Sequence, residues 1–204
     1  MTITIRNLER EHLSRVAQIH IRAFQDRALS SLGEEAVRRY YEWQLTGPHD
    51  AIAIGAFEEG NLLGFCFAGV FRGALSGFLR KNRGFLFTRL ILRPWLLMNP
   101  LIRERVAQTL KILRKPSRPV SVHNPVPQRS FGILAIAVDP TVQRKGVGQI
   151  LMEESERVAL ERGFPQMHLT VATDNHKAVA FYEKLGWKKM LDDGKWEGRM
   201  IKEL

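Results

Sequence analysis

Residues 138–149 read VDPTVQRKGVGQ, and they connect an apolar run to an amphipathic segment. The apolar run, residues 133–138, is rich in β-branched side chains and stops at Asp139 and Pro140. Beyond Gly148, apolar residues are interspersed with charged ones in an amphipathic pattern. The stretch therefore predicts a strand, then a basic loop with two glycines, then a helix.

The loop itself has the features of an anion-binding site. Gly146 and Gly148 let the backbone bend tightly and let a ligand approach without a Cβ in the way. The first amides of the helix have no intrahelical acceptor and stand at the positive end of its dipole. Arg144 and Lys145 add positive charge beside them. This combination predicts a site for a phosphate or pyrophosphate.

Two well-known phosphate-binding loops do not match these residues. A Walker loop requires Lys-Ser or Lys-Thr after its last glycine, whereas Gln149 and Ile150 follow Gly148. The dinucleotide-binding fingerprint requires a third glycine, and Leu151 occupies that position. Neither nucleotide motif is therefore present in this loop.

The loop resembles the Gln-x-x-Gly-x-Gly loop of the GCN5-related N-acetyltransferase (GNAT) family at Gln143, Gly146 and Gly148. A second block, NHKAVAFYEKLGW at residues 175–187, is similar to that family's Asn-x-x-Ala-x-x-Phe-Tyr-x-x-x-Gly-aromatic signature. The two blocks also stand at the separation usual in the family. The resemblance covers residues 131–204 directly and residues 1–70 through the order of elements.

The resemblance implies an α/β GNAT fold, in which a central, mixed, mostly antiparallel β-sheet is flanked by helices. The periodicity of the chain agrees with that order. It predicts strands at residues 2–6, 51–57, 61–70, 133–138, 166–172, 186–190 and 197–202, and helices at residues 9–24, 34–45, 150–162 and 175–185. A length of 204 residues predicts a single domain spanning the whole chain.

A basic segment, residues 71–130, separates the third predicted strand from the fourth. Its apolar periodicity predicts two or three helices within residues 75–87, 88–97 and 101–113, followed by a proline-rich extended stretch at 116–127. Residues 71–118 carry twelve Lys and Arg against Glu104 alone, although the whole chain has a formal charge of +10. The segment therefore holds essentially all of the excess positive charge, and an acidic partner is expected there.

Three interpretations of this basic segment stay open. It is a helical flap with solvated arginines, or a lid over an acidic acceptor, or a surface at residues 72–118 that contacts an anionic membrane. Arg89 and Arg93 interrupt its longest apolar run and argue against a membrane-spanning helix. Nucleic acid is not favoured, because the basic and aromatic residues form no recognisable stacking motif.

Composition narrows the class of protein further. The chain is 45% hydrophobic and 25% charged, as is usual for a soluble protein. The N-terminus shows no secretory signal, which favours a cytoplasmic location, with peripheral membrane attachment as the alternative. Cys66 is the only cysteine and lies in an apolar run, which indicates a buried side chain. The six histidines lack metal-ligand spacing, so no metal site is expected.

The resemblance implies acetyl-CoA as co-substrate, with its pantetheine arm paired to the backbone of Ile136, Ala137 and Val138. The remaining residues implied to bind the cofactor are Gln143, Arg144, Lys145, Gly146, Val147, Gly148, Gln149 and Asn175, the last of which is also a candidate helix cap. Tyr182 is implied as the acid that protonates the departing thiolate.

The sequence does not identify the general base. Some family members carry a glutamate on the strand that corresponds to residues 166–172, and this chain has none there. His168 and Thr170 share one face of that strand by alternation, and His123 and Glu58 are further candidates. The resemblance implies that the connector after the first helix borders the acceptor pocket, which makes Phe24, Gln25, Asp26 and Arg27 candidates for acceptor contact. A solvated loop with Phe24 in the core is the alternative.

The sequence therefore predicts an acetyl-CoA-dependent N-acetyltransferase in which an amine attacks the thioester directly. The acceptor stays open between a small amine, such as a nucleotide-linked amino sugar, and a protein or peptide amine. An alternative of another class is a non-catalytic module that binds acetyl-CoA or an anionic membrane surface. The oligomeric state is open as well, a homodimer included.

Overall fold

The structure, a computed structural model, describes residues 2–25, 27–92, 129–142 and 146–204. The chain forms two compact units. The first unit is built from Met1–Leu8, Pro48–Arg72 and Asn124–Leu204, and the second from Glu9–Gly47 and Gly73–His123. The two motifs of the sequence, residues 138–149 and 175–187, belong to the first unit.

The first unit contains a seven-stranded sheet within the described residues. Its strands are β1 (Thr4–Asn7), β2 (Asp50–Glu58), β3 (Asn61–Val70), β4 (Ser130–Val138), β5 (Gln166–Thr170), β6 (Lys188–Asp192) and β7 (Lys195–Glu203). They are ordered β1-β2-β3-β4-β5-β7-β6. The β4–β5 pair is parallel and the other neighbours are antiparallel. The expected mixed, mostly antiparallel sheet is confirmed.

Two α-helices of the first unit lie close to the predicted motifs. They are α6 (Val147–Glu161) and α7 (His176–Lys184), and a short 3-10 helix, Pro140–Val142, precedes α6. Val147, Leu151 and Ala159 recur at helical spacing along α6 and are buried in a core formed with the sheet. Phe131 of β4 and Met167 of β5 are fully buried in the same core. The predicted helix is confirmed, although of its apolar residues Leu151 faces the core whereas Leu160 is exposed.

The second unit is helical in its described residues. It comprises a 3-10 helix at Arg10–His12 and helices α1 (Leu13–Ala23), α2 (Ala28–Ser31), α3 (Glu34–Thr46), α4 (Ala74–Lys81) and α5 (Arg83–Leu92). Helices α1 and α3 pack together. Val16 and Ile19 of α1 and Val37 and Tyr41 of α3 are fully buried, as expected of amphipathic helices.

The helices after β3 differ in their boundaries from the sequence prediction. The prediction placed one helix at residues 75–87 and a second at 88–97, whereas α4 ends at Lys81 and α5 begins at Arg83. Asn82 leaves the helical conformation at φ −109° and ψ 18°, and its buried side-chain amide donates to the carbonyl of Phe78 at 3.1 Å. An Asn side chain competes in this way with the helical backbone and favours a helix end. The predicted segments 101–113 and 116–127 lie outside the described residues.

No helix among the described residues combines the length and the apolar character that crossing a membrane requires.

Candidate active site

The parallel strands β4 and β5 separate part of the way along the sheet. They pair at residues 130–133 of β4, and the last pair joins Ile133 to Leu169. Beyond it, β4 continues beside β3 as far as the pair Gly64–Val138, while β5 stays with β7. The amide of Val171 then donates to the carbonyl of Gly198 at 2.8 Å. We call the opening between residues 134–138 of β4 and the end of β5 the fork.

A β-bulge in β4 marks the start of the fork. Phe67 pairs with Ala135 and Ala68 pairs with Ile133, so Leu134 is the extra residue of β4. A bulge bends its strand and increases the local twist. Leu134, Ala135 and Ile136 are only partly buried, although β4 is a central strand. The bulge therefore coincides with a cleft in the middle of the sheet.

The backbone of β4 presents hydrogen-bonding groups to the fork. The carbonyl oxygen of Ala137 is 2.8 Å from the position that a Cβ on Gly64 would occupy, and the amide of Asp139 donates to the carbonyl of Leu63 at 2.8 Å. Both groups therefore face β3. Because backbone groups alternate along an antiparallel pair, those of Ile136 and Val138 face the fork. Of the three residues proposed to pair with pantetheine, Ile136 and Val138 thus have their backbone groups available, whereas those of Ala137 face β3.

A tight turn closes the end of β4. Asp139 is buried, and its Oδ1 accepts from the amide of Thr141 at 3.0 Å and from the hydroxyl of Thr141 at 2.8 Å. An aspartate that bonds the backbone two residues ahead forms an Asx turn. The strand therefore ends where the sequence predicts. The predicted cofactor residues Gln143, Arg144 and Lys145, which follow this turn, lie outside the described residues.

The N-terminus of α6 offers backbone donors without a cap. Gly146 precedes the helix in the left-handed region at φ +76°, where a glycine is favoured. Because glycine has no side chain, it supplies no acceptor that could cap the helix. The first hydrogen bond of the helix runs from the amide of Ile150 to the carbonyl of Gly146 at 3.1 Å. The amides of Val147, Gly148 and Gln149 therefore stand unpaired within the described residues, at the positive end of the helix dipole.

A glycine is needed at position 148 for a different structural reason from the one inferred from the sequence. A Cβ at this position would lie 3.4 Å from the Phe181 ring and 3.8 Å from Cγ2 of Val138. The missing side chain thus faces protein and allows the first turn of α6 to pack closely against α7 and the end of β4. The expectation that it leaves room for a ligand applies better to Gly146, where an added Cβ would meet nothing within 4 Å.

Tyr182 lies in the core on the α6 side of the sheet. It belongs to the same buried cluster as Ile133 and Leu169, the last pair before the fork. Its ring centroid is 5.3 Å from that of Phe181 and 6.0 Å from that of Trp187. Burial raises the pKa of the phenol well above its usual value, and Cys66 raises it further. Tyr182 is therefore protonated at neutral pH, which is the form that an acid requires.

Asn175 caps α7. Its Oδ1 accepts from the amide of Ala178 at 3.2 Å, so the capping role anticipated from the sequence is present. The residue is exposed, and the cap uses only the oxygen of the side chain. The side-chain nitrogen is therefore still available as a donor.

Cys66 has the environment of a structural residue. It is fully buried on β3, and the hydroxyl of Ser155 donates to its Sγ at 3.3 Å. Burial raises the pKa of the thiol to about 12. A nucleophilic cysteine needs the opposite, an exposed thiol with a lowered pKa.

A cavity of about 540 Å³ opens next to the base of the fork, on the face of the sheet opposite the core that contains Tyr182. Its lining includes Phe71, Ser130, Gly132, Leu134, His168 and Thr170. Nδ1 of His168 is 2.7 Å from the hydroxyl oxygen of Ser130. The sequence indicated His168 and Thr170 by alternation but missed Ser130 and Gly132. These two alternate with the buried Phe131 and Ile133, which is the signal that could have identified them.

The other candidates from the sequence belong to other elements. Glu58 ends β2 and pairs with Asn61 in the β2–β3 hairpin. Phe24, Gln25 and Arg27 belong to the second unit, between α1 and α2. Asp26 and His123 lie outside the described residues. In the part of the chain that is described, no group of three or more His, Cys, Asp or Glu side chains is arranged to hold a metal ion.

Comparison with known proteins relates this site to one family. A sequence model described as "Acetyltransferase (GNAT) family" matches residues 107–187. A mycothiol acetyltransferase of Jonesia denitrificans is 37% identical over 62 residues, which are 30% of this chain and 20% of that protein. A ribosomal protein bS18-alanine N-acetyltransferase of Escherichia coli K12 is 41% identical over 54 residues, 26% of this chain and 36% of that protein. The chain thus spans about a third or less of these relatives.

A likeness in structure extends over the whole chain. The PaiA N-acetyltransferase of Thermoplasma acidophilum, solved in complex with coenzyme A, superposes with a TM-score of 0.60 over 100% of both chains at 16% sequence identity. At this identity the likeness concerns the fold alone, and it includes the mixed sheet with its flanking helices. The family match includes the loop at residues 143–148 and the whole of the signature at 175–187, so the part of the chain that carries both motifs matches the GNAT acetyltransferase family, and the chain has the GNAT fold.

Proposed function

We propose that this protein transfers an acetyl group from acetyl-CoA directly to the nitrogen of an amine. The observation that carries the proposal is the fork, where an unpaired edge of β4 lies in the same unit as the uncapped amides of α6 and the protonated Tyr182. These three features supply a binding edge, an anion site and an acid. They match the three parts of acetyl-CoA that a transferase must handle, namely the pantetheine arm, the pyrophosphate and the thioester.

Acetyl-CoA fits the described groups as follows. The pantetheine amides pair with the backbone of Ile136 and Val138, as an added strand would. The pyrophosphate accepts from the amides of Val147, Gly148 and Gln149, and the helix dipole favours its charge. Arg144 and Lys145 directly precede Gly146 in the sequence and bring two positive charges to the loop, and with Gln143 they stay predicted cofactor residues outside the described part of the chain. Nδ2 of Asn175 contributes one more donor to the cofactor arm.

The transfer itself needs neither a metal ion nor a covalent enzyme intermediate. A neutral amine attacks the carbonyl carbon of the thioester, a C–N bond forms while the nitrogen gives one proton to a base, and the C–S bond breaks as the tetrahedral intermediate collapses. Tyr182 donates its phenolic proton to the departing thiolate. A direct attack is consistent with the burial of Cys66 and the raised pKa of its thiol, which leave it unsuited to carry the acetyl group.

Two classes of acceptor are proposed. A small amine, of which a nucleotide-linked amino sugar is one example, is our first candidate, and the similarity to mycothiol acetyltransferases supports a small molecule. An N-terminal amine of a protein or peptide is the second, supported by the similarity to ribosomal protein alanine acetyltransferases. Both acceptors use the same chemistry at the fork.

The test is a calorimetric titration of the protein with acetyl-CoA, compared with two variants of Gln149. Gln149→Glu places a carboxylate beside the proposed pyrophosphate, and Gln149→Ala removes the same side-chain bond to Glu153 without adding charge. A like charge at about 4 Å costs about 1 kcal/mol in water. We therefore expect about fivefold weaker binding by Gln149→Glu than by Gln149→Ala. Equal affinities would contradict the anion site at α6.

Turnover is then tested by thiol release with a panel of four amines, namely a polyamine, an amino sugar, an amino acid amide and a peptide with an N-terminal alanine. Release that depends on one of these amines supports the transferase and selects the acceptor class. Binding of acetyl-CoA without release for any amine favours a non-catalytic module. A folded protein that does not bind acetyl-CoA overturns the proposed function.

A further inference from the structure

Two glycines form the floor beneath His168. Gly69 of β3 pairs with Gly132 of β4, and Gly132 pairs with His168 of β5, so the three residues form one row across the sheet. A Cβ on Gly132 would lie 2.8 Å from Nε2 of His168 and 2.9 Å from its Cε1. The imidazole therefore lies over Gly132 and occupies the space of the missing side chain. Any larger residue at position 132 would displace the ring.

Gly69 is also required by its surroundings. Its φ of +144° is rarely adopted by other residues, and an added Cβ would lie 2.3 Å from Cα of Ala51. The two residues that follow His168 along the row towards β3, Gly132 and Gly69, thus lack side chains, while Ile201 of β7 pairs with His168 on its other side. The cavity of about 540 Å³ lies over this floor, and so the imidazole borders open space.

The hydroxyl of Ser130 orients the ring. Ser130 is buried, and its oxygen is 2.7 Å from Nδ1 of His168. When the neutral imidazole carries its proton on Nδ1, it donates to this oxygen. Nε2 then keeps its lone pair, the form in which a histidine accepts a proton.

His168 and Tyr182 lie on opposite faces of the sheet. His168 is one residue before the last β4–β5 pair, Ile133–Leu169. The side chains of that pair point into the cluster that contains Tyr182. Because successive side chains of a strand point to opposite faces, His168 and its partner Gly132 face away from that cluster. An acyl group at the base of the fork would therefore have an acid on one side and an imidazole on the other.

The electrostatic surroundings keep the imidazole neutral. Burial lowers the pKa of His168 below its ordinary value, so the ring is unprotonated at neutral pH. The strand pairing also shows which charged residues lie on the same face of the sheet as His168. They are Arg199 and Glu203 of β7 and Lys188 of β6. Arg199 is paired with Asp192 at 3.0 Å. The described lining of the cavity contains no carboxylate, which leaves His168 as its basic group.

We propose that the acceptor amine enters through this cavity and that His168 is the base that takes its proton, an inference that rests on the acetyl transfer proposed above. As the C–N bond forms, a proton moves from the amine nitrogen to Nε2. As the C–S bond breaks, the thiolate takes the proton of Tyr182. The imidazolium and the phenolate are then neutralised by proton exchange with solvent, and the products are an amide and free coenzyme A. Ser130 is a positioning residue, because it acts through the ring.

The first test is the tautomer of His168, read from long-range ¹H–¹⁵N NMR spectra of the protein without ligand and assigned with His168→Gln. We expect a protonated Nδ1 and an unprotonated Nε2 at pH 7.5. Ser130→Ala removes the acceptor at Nδ1 and should increase the share of the other tautomer. A wild-type ring that carries its proton on Nε2 would overturn the assignment, whether or not an acceptor has been found.

The second test is the pH dependence of thiol release with the best amine of the panel. His168→Gln should lower kcat about 100-fold, remove the acidic limb of the pH profile and leave the affinity for acetyl-CoA unchanged. His12→Gln is the matched control, because it makes the same substitution at a histidine of the 3-10 helix Arg10–His12 that does not line the cavity, and it should keep the profile. An unchanged acidic limb in His168→Gln would sink the inference. Failure of the wild-type protein to bind acetyl-CoA would instead refute the proposed function.

Discussion

The hydroxyl of Tyr41 lies 2.8 Å from Nδ1 of His20, and both side chains are buried between α1 and α3. Nε2 of the same imidazole is buried and has no hydrogen-bond partner among the described residues. A proton added at Nε2 would create a buried charge without a counter-ion. Burial accordingly lowers the pKa of His20 to about 4.

This contact predicts that acid destabilises the protein through His20. The folded pKa lies below the unfolded value of about 6.5, so the stabilisation is complete above pH 6.5 and is lost as the pH falls towards 4. Between pH 7 and 5 the loss is about 2 kcal/mol. Urea unfolding at several pH values should show this loss in the wild type and a shallower dependence in His20→Gln. Identical pH dependences would contradict the role given to His20.

Tyr182→Phe removes the proposed acid while keeping the ring that packs near Phe181 and Trp187. We expect kcat to fall about 100-fold with little change in the dissociation constant of acetyl-CoA, because the phenol acts on the leaving thiolate. Steady-state thiol release and calorimetry measure the two quantities. Tyr40→Phe is the matched control, since burial raises the pKa of Tyr40 to about 12 in a helix of the second unit. Equal losses of rate and affinity in Tyr182→Phe would speak for a purely structural tyrosine.

Two substitutions separate the capping role of Asn175 from its proposed contact with the cofactor. Asn175→Ala loses the bond to the amide of Ala178 and should lower the free energy of unfolding by about 1 kcal/mol. Asn175→Asp keeps the capping oxygen but has no side-chain donor. We expect it to retain the stability and to bind acetyl-CoA more weakly. Wild-type affinity in Asn175→Asp would leave Asn175 as a cap alone.

Cys66 should be chemically silent in the folded protein. Its thiol is fully buried, and burial raises its pKa to about 12, so thiol reagents should modify it only after unfolding. Cys66→Ala should keep the turnover per folded molecule while lowering stability through the lost packing. Labelling before and after addition of urea, together with the thiol-release assay, checks both statements. Loss of turnover in folded Cys66→Ala would reopen the question of an acetyl-cysteine intermediate.

Local patterns along the chain were sufficient for the elements that form the site. The β-branched run at residues 133–138, the Asp139–Pro140 break and the glycines at 146 and 148 predicted the strand, turn and helix that the structure contains. Asn175 was recognisable as a helix cap, and Tyr182 as a residue of the family signature. Such features depend on residues close in sequence, and for this reason a single stretch of chain reveals them.

Tertiary structure decided what those elements do together. The sequence showed neither that β5 leaves β4 after Leu169 nor that the backbone of Ile136, unlike that of Ala137, faces the resulting gap. The contact between Ser130 and His168 joins residues 38 positions apart. Long-range strand pairing and packing decide which strand borders an edge and which side chain lies beside an imidazole. Hydrophobic periodicity and composition do not encode these contacts. The sequence alone thus determined most of the elements and the two motifs that resemble the GNAT family, and the fold decided which groups of those elements remain free to act.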